Sequence, residues 1–145
     1  MNVVDCLKQG FLQKTKIDKE IIDKELKESS YDLEKAQKAF QDKDFKWSIV
    51  KSYYSIFHAS RALLNKLGLR EKKHFAISVI LEELNKQGRL EIKYINDFNA
   101  ALYSREEADY YYNYSKESAE HNLEIAEQFI EKIKELINSK VGLKL

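Results

Sequence analysis

Apolar residues along this chain recur three and four positions apart, which is the spacing of one face of an α-helix. This pattern predicts long helices over about residues 18–41, 45–67, 74–87 and 92–109, and a fifth that begins at Ser115 or Ser118 and reaches about residue 137. The segment 45–67 carries apolar residues on more than one face, so we expect it to be the central helix. The pattern as a whole predicts an all-α fold, a four- to five-helix up-and-down bundle.

The predicted helices divide the chain into three parts. Residues 1–20 read as an N-terminal arm with one short helix that ends at Gly10, residues 21–139 as the helical bundle, and residues 140–145 as a C-terminal tail. We expect Phe11 and Leu12 to fasten the arm to the bundle. Residues 69–73 are predicted to be a charged loop.

Composition agrees with a helical protein and excludes several function classes. Proline is absent and glycine occurs four times, so little in the chain interrupts long helices. The 25 basic and 24 acidic residues nearly cancel, which argues against a general polyanion-binding protein but leaves a local basic patch open. Cys6 is the single cysteine, so neither an internal disulfide nor a cysteine metal cluster can form. No apolar run approaches the length of about 18 residues that spans a membrane, so we expect a soluble, cytoplasmic protein that does not associate with membranes.

The predicted fourth helix places polar residues where its apolar face should continue. Its inward positions run from apolar to polar through Ile92, Ile95, Phe98, Leu102, Arg105, Asp109 and Tyr112. A buried arginine must be paired, because it cannot lose its proton. Two interpretations are open: an ion pair between Arg105 and Asp109 at a frayed helix end, or a pocket for an anion or phosphate at a seam between helices.

Four tyrosines follow within five positions, at Tyr110, Tyr111, Tyr112 and Tyr114. They are suited to packing a bundle end or a dimer seam. They are equally suited to stacking on bases while Arg105 holds a phosphate. A third interpretation is that one hydroxyl accepts a transferred nucleotide.

The three histidines do not form a metal site by their spacing. His121 falls off the apolar face of the fifth helix and reads as a surface residue, His58 as a hydrogen-bonded core residue, and His74 as a cap or surface residue at the start of the third helix. No pair has the i,i+4 spacing of a zinc helix, and no phosphate-binding loop, dinucleotide-binding glycine motif or hydrolase nucleophile elbow occurs. We therefore predict no metal and no cofactor.

Three stretches together resemble the small stand-alone HEPN proteins. Residues 53–64 read YYSIFHASRALL, Lys73-His74 open the next helix, and residues 105–110 read REEADY ahead of the last helix. The resemblance covers roughly residues 22–138. It implies a helical bundle that forms a homodimer. In HEPN ribonucleases, an arginine and a histidine with four to six residues between them cleave RNA without metal. Many small HEPN proteins pair with a minimal nucleotidyltransferase in a toxin–antitoxin system, and in some of them a tyrosine two residues after that histidine accepts AMP.

Under this resemblance Arg105 matches the motif arginine, Tyr110 occupies the histidine position, and Tyr112 matches the acceptor tyrosine. The chain departs from the catalytic pattern, because tyrosine titrates near pH 10 and is a poor base at neutral pH. Our first hypothesis is a dimeric module that binds a nucleotide or an RNA phosphate and partners a nucleotidyltransferase. The alternative is an altered RNA endonuclease that uses Arg105 with Asp109, Tyr110 or His74. A third reading is an adaptor whose apolar seam only dimerises.

Overall fold

The computed structural model describes residues 1–140 and residue 142 of the chain. This part forms six helices and one short sheet, in the order α1 (Val3–Lys8), β1 (Leu12–Lys14), α2 (Lys19–Gln41), α3 (Phe45–Lys66), β2 (Leu69–Glu71), α4 (Phe75–Lys86), α5 (Ile92–Tyr110) and α6 (Lys116–Asn138). The predicted all-α helical bundle is confirmed. Of the expected tail, residues 141 and 143–145 lie outside the described residues. Within the described range no helix is both long and apolar enough to span a membrane.

Helix α3 is the centre of the bundle, as its apolar pattern predicts. It packs against α2, α5 and α6. Small residues let α2 and α3 approach closely, and their hydroxyls bond to the facing backbone: Ser29 Oγ donates to the Ser55 carbonyl at 2.7 Å and Ser48 Oγ to the Ala36 carbonyl at 2.9 Å. These bonds satisfy hydroxyl groups that would otherwise be costly to bury.

The apolar interior consists of one large and one small cluster. The large cluster joins residues from α1 to α6. The small cluster is formed by Ile49, Val50, Ala108 and Ala119, and therefore lies where α3 begins, α5 ends and α6 begins. We call this region the α5 end of the bundle. The two alanines let α5 and α6 come close to α3 there.

The N-terminal arm packs into the large cluster and completes a two-stranded sheet. Cys6 and Leu12 are fully buried members of that cluster. Strand β1 pairs antiparallel with β2, with Leu12 opposite Glu71. The expectation of a charged loop over residues 69–73 is therefore wrong for its first three residues. A strand of three residues is too short to show an alternating pattern, and its partner lies far away in the sequence.

The inward stripe predicted for the fourth helix holds for its middle but not for either end. Ile95 and Phe98 are buried, whereas Ile92 is 58% exposed. Ile92 is the first residue of α5. At the other end α5 stops at Tyr110, where the backbone N–H groups of Tyr111 and Asn113 both donate to the Glu107 carbonyl.

Candidate functional site

Arg105 lies in the seam between α5 and α3, at the α5 end of the bundle. Its side chain is only 14% exposed. The Nη2 atom donates to the Tyr54 hydroxyl at 3.0 Å and to the Tyr110 hydroxyl at 3.4 Å, and it lies 3.4 Å from Asp109 Oδ2. The Nε atom is enclosed and makes no hydrogen bond within the described residues. One nitrogen of the guanidinium therefore carries all of these polar contacts.

Aromatic rings surround the same guanidinium. Its central carbon lies 5.9 Å, 5.4 Å and 5.2 Å from the ring centres of Tyr53, Tyr54 and Tyr110. Cation–π contact of this kind attracts a positive charge but does not cancel it. Asp109, the carboxylate that pairs with Arg105 among the described residues, is farther away than the 2.7–2.9 Å of a strong charge-assisted bond. Positive charge therefore remains available here for an anion.

His74 is tied to the Arg105 site through Tyr53. The Tyr53 hydroxyl and His74 Nδ1 share a hydrogen bond of 2.7 Å, and the imidazole stacks on Phe57 with ring centres 4.3 Å apart. Burial, with the positive charges of Arg105 and Arg61 adding to it, lowers the pKa of His74 below its ordinary value. The expectation that His74 caps α4 is wrong, since its side chain makes no capping bond.

Burial also raises the pKa of the Tyr53 phenol well above its usual range, so Tyr53 remains a neutral hydroxyl at physiological pH. It lies between two functional groups, because His74 bonds its hydroxyl and Arg105 approaches its ring. A neutral imidazole is a group that can accept a proton near neutral pH. The structure thus brings a cation and a potential base into contact with one buried phenol.

The tyrosine segment leaves the helix before it can share a face with Arg105. Tyr112 has a φ of 57°, in the left-handed region, and its ring lies over the Lys46 ammonium rather than the Arg105 guanidinium. The sequence expectation that Arg105, Asp109 and Tyr112 fall in one line is therefore wrong at Tyr112. Tyr111 and Tyr114 are exposed at 72% and 47%. Of the four tyrosines, Tyr110 is the one that contacts Arg105.

A second polar cluster joins α2, α3 and β2. His58 Nδ1 lies 2.8 Å from Glu25 Oε2, and its Nε2 lies 3.5 Å from Asp32 Oδ2. The Arg61 Nε atom bonds Glu71 Oε1 at 2.8 Å. A hydrogen bond to Glu25 is the main reason that the pKa of His58 is raised. His58 is hydrogen-bonded, as expected, but it is only partly buried and is not a core residue. His121 is exposed, as expected.

Sequence reasoning did not assign Tyr53, Tyr54 or Lys46 to the site. From the sequence, Tyr53 and Tyr54 are expected to be core residues of α3. A buried phenol needs a hydrogen-bond partner, and this requirement could have indicated polar groups nearby. Nothing in the sequence links Lys46 to a tyrosine 66 positions later. In the described part of the chain, no group of three or more His, Cys, Asp or Glu side chains is arranged to hold a metal ion.

Comparison with known proteins gives a family match over most of the chain. The HEPN domain model matches residues 22–136. A protein of Methanocaldococcus jannaschii named "Putative toxin MJ0142" is 27% identical over 126 residues, which cover 85% of this chain and 86% of that protein. A UPF0332 protein of Archaeoglobus fulgidus is 31% identical over 115 residues, which cover 73% of this chain and 92% of that protein. The matched region includes α2 to α6, apart from the first three residues of α2 and the last two of α6, and every residue of the Arg105 site.

Proposed function

This chain belongs to the HEPN domain family, and from that premise we propose that its Arg105 site binds the phosphate of a nucleotide or an RNA strand. We further propose that the protein is a cytoplasmic homodimer and one half of a toxin–antitoxin-like pair with a minimal nucleotidyltransferase. A relative that carries the word toxin in its name supports the pairing. The exposed tyrosines of residues 110–114 support a contact surface at this end of the bundle.

The observation that carries the proposal is the incomplete neutralisation of Arg105. Its side chain is mostly buried, yet its polar contacts are two phenols and one carboxylate at 3.4 Å. A structural arginine in such a place is normally held by a close bidentate carboxylate. A phosphate oxygen would supply the missing strong acceptor. Tyr110 and Tyr54 would then position the guanidinium, and Asp109 would compete with the phosphate.

A second candidate function is RNA cleavage, and one specific observation favours it. The motif histidine is absent, but His74 reaches the same cluster from the start of α4 and is fixed by the Tyr53 hydroxyl at 2.7 Å. Its lowered pKa leaves it neutral and able to take a proton from a ribose 2′-hydroxyl. In this reading Arg105 steadies the phosphate, while Tyr110 and Asp109 remain auxiliary.

A direct test of binding uses labelled single-stranded RNA with wild type, Arg105→Ala and Arg70→Ala. Arg70 is an exposed arginine on β2 and serves as the control for loss of one positive charge. We expect Arg105→Ala to bind at least about tenfold more weakly, because it loses a charge-assisted hydrogen bond. Arg70→Ala should stay within about twofold. If both variants bind RNA equally weakly, the loss of affinity comes from the loss of positive charge in general. That result would favour the interpretation as an adaptor that only dimerises.

Two further assays distinguish the role as partner of a nucleotidyltransferase from RNA cleavage. Co-expression with a candidate minimal nucleotidyltransferase, followed by mass spectrometry of the peptide that contains residues 110–114, tests for an added nucleotide on Tyr110, Tyr111, Tyr112 or Tyr114. Incubation of the purified protein with mixed RNA in a chelator tests for metal-independent cleavage. Cleavage that persists in His74→Ala or in Arg105→Ala would contradict the ribonuclease reading.

A further inference from the structure

The first turn of α3 presents a tryptophan and a lysine beside the tyrosine segment. Trp47 is the single tryptophan of the chain and is 44% exposed. The Lys46 ammonium lies 5.5 Å from the centre of the Trp47 ring system and 5.7 Å from the centre of the Tyr112 ring. One cation therefore contacts two aromatic side chains, and both of these side chains are also exposed to solvent.

Lys46 is partly buried, and within the described residues it forms no ion pair. Asp44, the acidic residue nearest in sequence, accepts a hydrogen bond from the backbone N–H of Trp47 and caps the helix. An ammonium that has lost part of its hydration and contacts only rings retains its attraction for an anion. Lys46 can therefore bind a phosphate without first breaking a salt bridge.

Tyr112 is held in place by a backbone conformation that tyrosine adopts at a cost. Its φ of 57° lies in the left-handed region, which is sterically unfavourable for a residue other than glycine. The next residue, Asn113, donates its backbone N–H to the Glu107 carbonyl and so fixes the turn. Strained residues of this kind are concentrated at functional sites. The turn keeps the Tyr112 ring over Lys46 while leaving the side chain 76% exposed.

We infer that Trp47, Lys46 and Tyr112 form a subsite for one nucleoside monophosphate unit. Lys46 takes the phosphate and Trp47 stacks on the base. The inference rests on the proposed function and adds a second recognition point to it. Lys46 and Tyr54 are eight positions apart on α3, a rise of about 12 Å, so the subsite is separate from the Arg105 guanidinium yet within reach of the same short strand.

The nucleotide unit has two possible sources with the same chemistry. It is either a nucleotide esterified to Tyr112 or one residue of an RNA strand bound at Arg105. In the first case the Tyr112 phenol oxygen attacks the α-phosphorus of a nucleoside triphosphate held by the nucleotidyltransferase. An oxygen–phosphorus bond forms, the bond to pyrophosphate breaks, and the phenolic proton passes to solvent.

The fluorescence of Trp47 tests the subsite directly, because no other tryptophan contributes. Wild type, Lys46→Ala, Lys46→Arg and Lys116→Ala are titrated with AMP and, separately, with a short single-stranded oligoadenylate. Lys116 is an exposed lysine at the start of α6 and controls for general charge. We expect the nucleotide probe to quench Trp47, Lys46→Ala to bind at least about fivefold more weakly, and Lys46→Arg and Lys116→Ala to remain near wild type.

The two probes distinguish the sources. Quenching by oligoadenylate alone supports the RNA strand. In that case the slope of log binding constant against log salt concentration should be smaller by about 0.7 in Lys46→Ala than in wild type. Quenching by AMP alone supports the nucleotide on Tyr112, and quenching by both supports a subsite open to either. Absence of quenching with both probes overturns the inference, as does equal weakening in Lys46→Ala and Lys116→Ala.

Failure of the subsite is distinguishable from failure of the proposed function. If RNA binds in an Arg105-dependent manner while Trp47 fluorescence is unchanged, the phosphate site at Arg105 stands and the subsite is wrong. Trp47→Phe gives an independent check by labelled RNA, because it retains a ring for stacking and should bind more tightly than Trp47→Ala. Where oligoadenylate quenches Trp47, equal RNA affinity in those two variants and wild type would also contradict the subsite.

Discussion

Among the described residues, the carboxylate that pairs with the Arg105 guanidinium is Asp109, and it holds the guanidinium loosely. Asp109 is 28% exposed in its side chain and lies 3.4 Å from Nη2. An i,i+4 pair at this distance, without a close charge-assisted bond, contributes about 0.2–0.5 kcal/mol to stability. Its larger effect is on ligands, because it occupies one side of the cation that a phosphate would use.

Asp109→Asn is therefore expected to tighten phosphate binding while changing stability little. Loss of the competing charge should strengthen RNA or nucleotide binding about two- to fivefold and lower the free energy of unfolding by less than about 1 kcal/mol. Asp97→Asn, on the same helix but paired with Lys93, is the control. Weaker binding in Asp109→Asn than in Asp97→Asn would mean that Asp109 positions the arginine rather than competes for it.

The sequence indicated which way the Arg105 side chain points, but not which side chains it contacts. Periodicity placed Arg105 on the inward face of α5, and the side chain is mostly buried there. The two phenols of Tyr53 and Tyr54 come from another helix, and no pattern within a single helix reveals such a contact. Tyr112 was misplaced because residues 105–115 contain no glycine or proline to mark the helix end.

Helix α6 shows how one cap sets the start of an element. Sequence left Ser115 and Ser118 open as caps, and the structure selects Ser115, whose Oγ accepts from the Ser118 N–H at 3.0 Å. We expect Ser115→Ala to lower the free energy of unfolding by about 1 kcal/mol. Ser118→Ala should cost less than about 0.5 kcal/mol. Chemical denaturation of both variants measures this, and a larger loss in Ser118→Ala would contradict the assignment.

His58 connects α2 to α3 and should make the stability of that pair depend on pH. Both imidazole nitrogens face carboxylates, Glu25 at 2.8 Å and Asp32 at 3.5 Å, so the doubly protonated ring fits best. Because the pKa of His58 is raised in the folded protein, its stabilisation is fully present below pH 6.5. It is lost as the pH rises through the folded value.

The measurement is the unfolding free energy of wild type and His58→Gln across that pH range. We expect wild type to be about 1–2 kcal/mol more stable than the variant below pH 6.5, with the difference shrinking as the pH rises. The lowered pKa of His74 acts in the opposite direction but is common to both proteins, so it cancels in the difference. Parallel curves for the two proteins would show that His58 is not charged in the folded state.

The molecule as a whole depends on its N-terminal arm more than the sequence suggested. Val3, Cys6 and Leu12 belong to the same buried cluster as the centre of the bundle. Leu12→Ala is expected to cost about 2–5 kcal/mol, because it removes a side chain that is 1% exposed from a packed interior. Gln13→Ala, one residue later on the exposed side of β1, should stay within about 0.5 kcal/mol. Similar melting temperatures for both variants would mean that the arm is not part of the core.

The helices could be predicted along the whole chain, and the sheet could not. Long amphipathic helices repeat their signal over several turns, so their bounds are within about two residues of the expected ones. Strands β1 and β2 have three residues each and depend on a pairing between distant segments. The contacts of the candidate site could not be predicted for the same reason, because they join distant parts of the chain: α3, α4, α5 and the segment that follows α5.

The most direct test of a phosphate site at Arg105 is the rise in melting temperature that a ligand causes in wild type and in Arg105→Ala. The probes are single-stranded RNA and a nucleoside monophosphate. A ligand at 100 times its Kd adds about 2.7 kcal/mol to the folded state that binds it. We expect a clear rise in melting temperature for wild type with at least one probe, and little or none for Arg105→Ala at the same concentration. An equal rise in both proteins, or none in either, would contradict a phosphate site at Arg105.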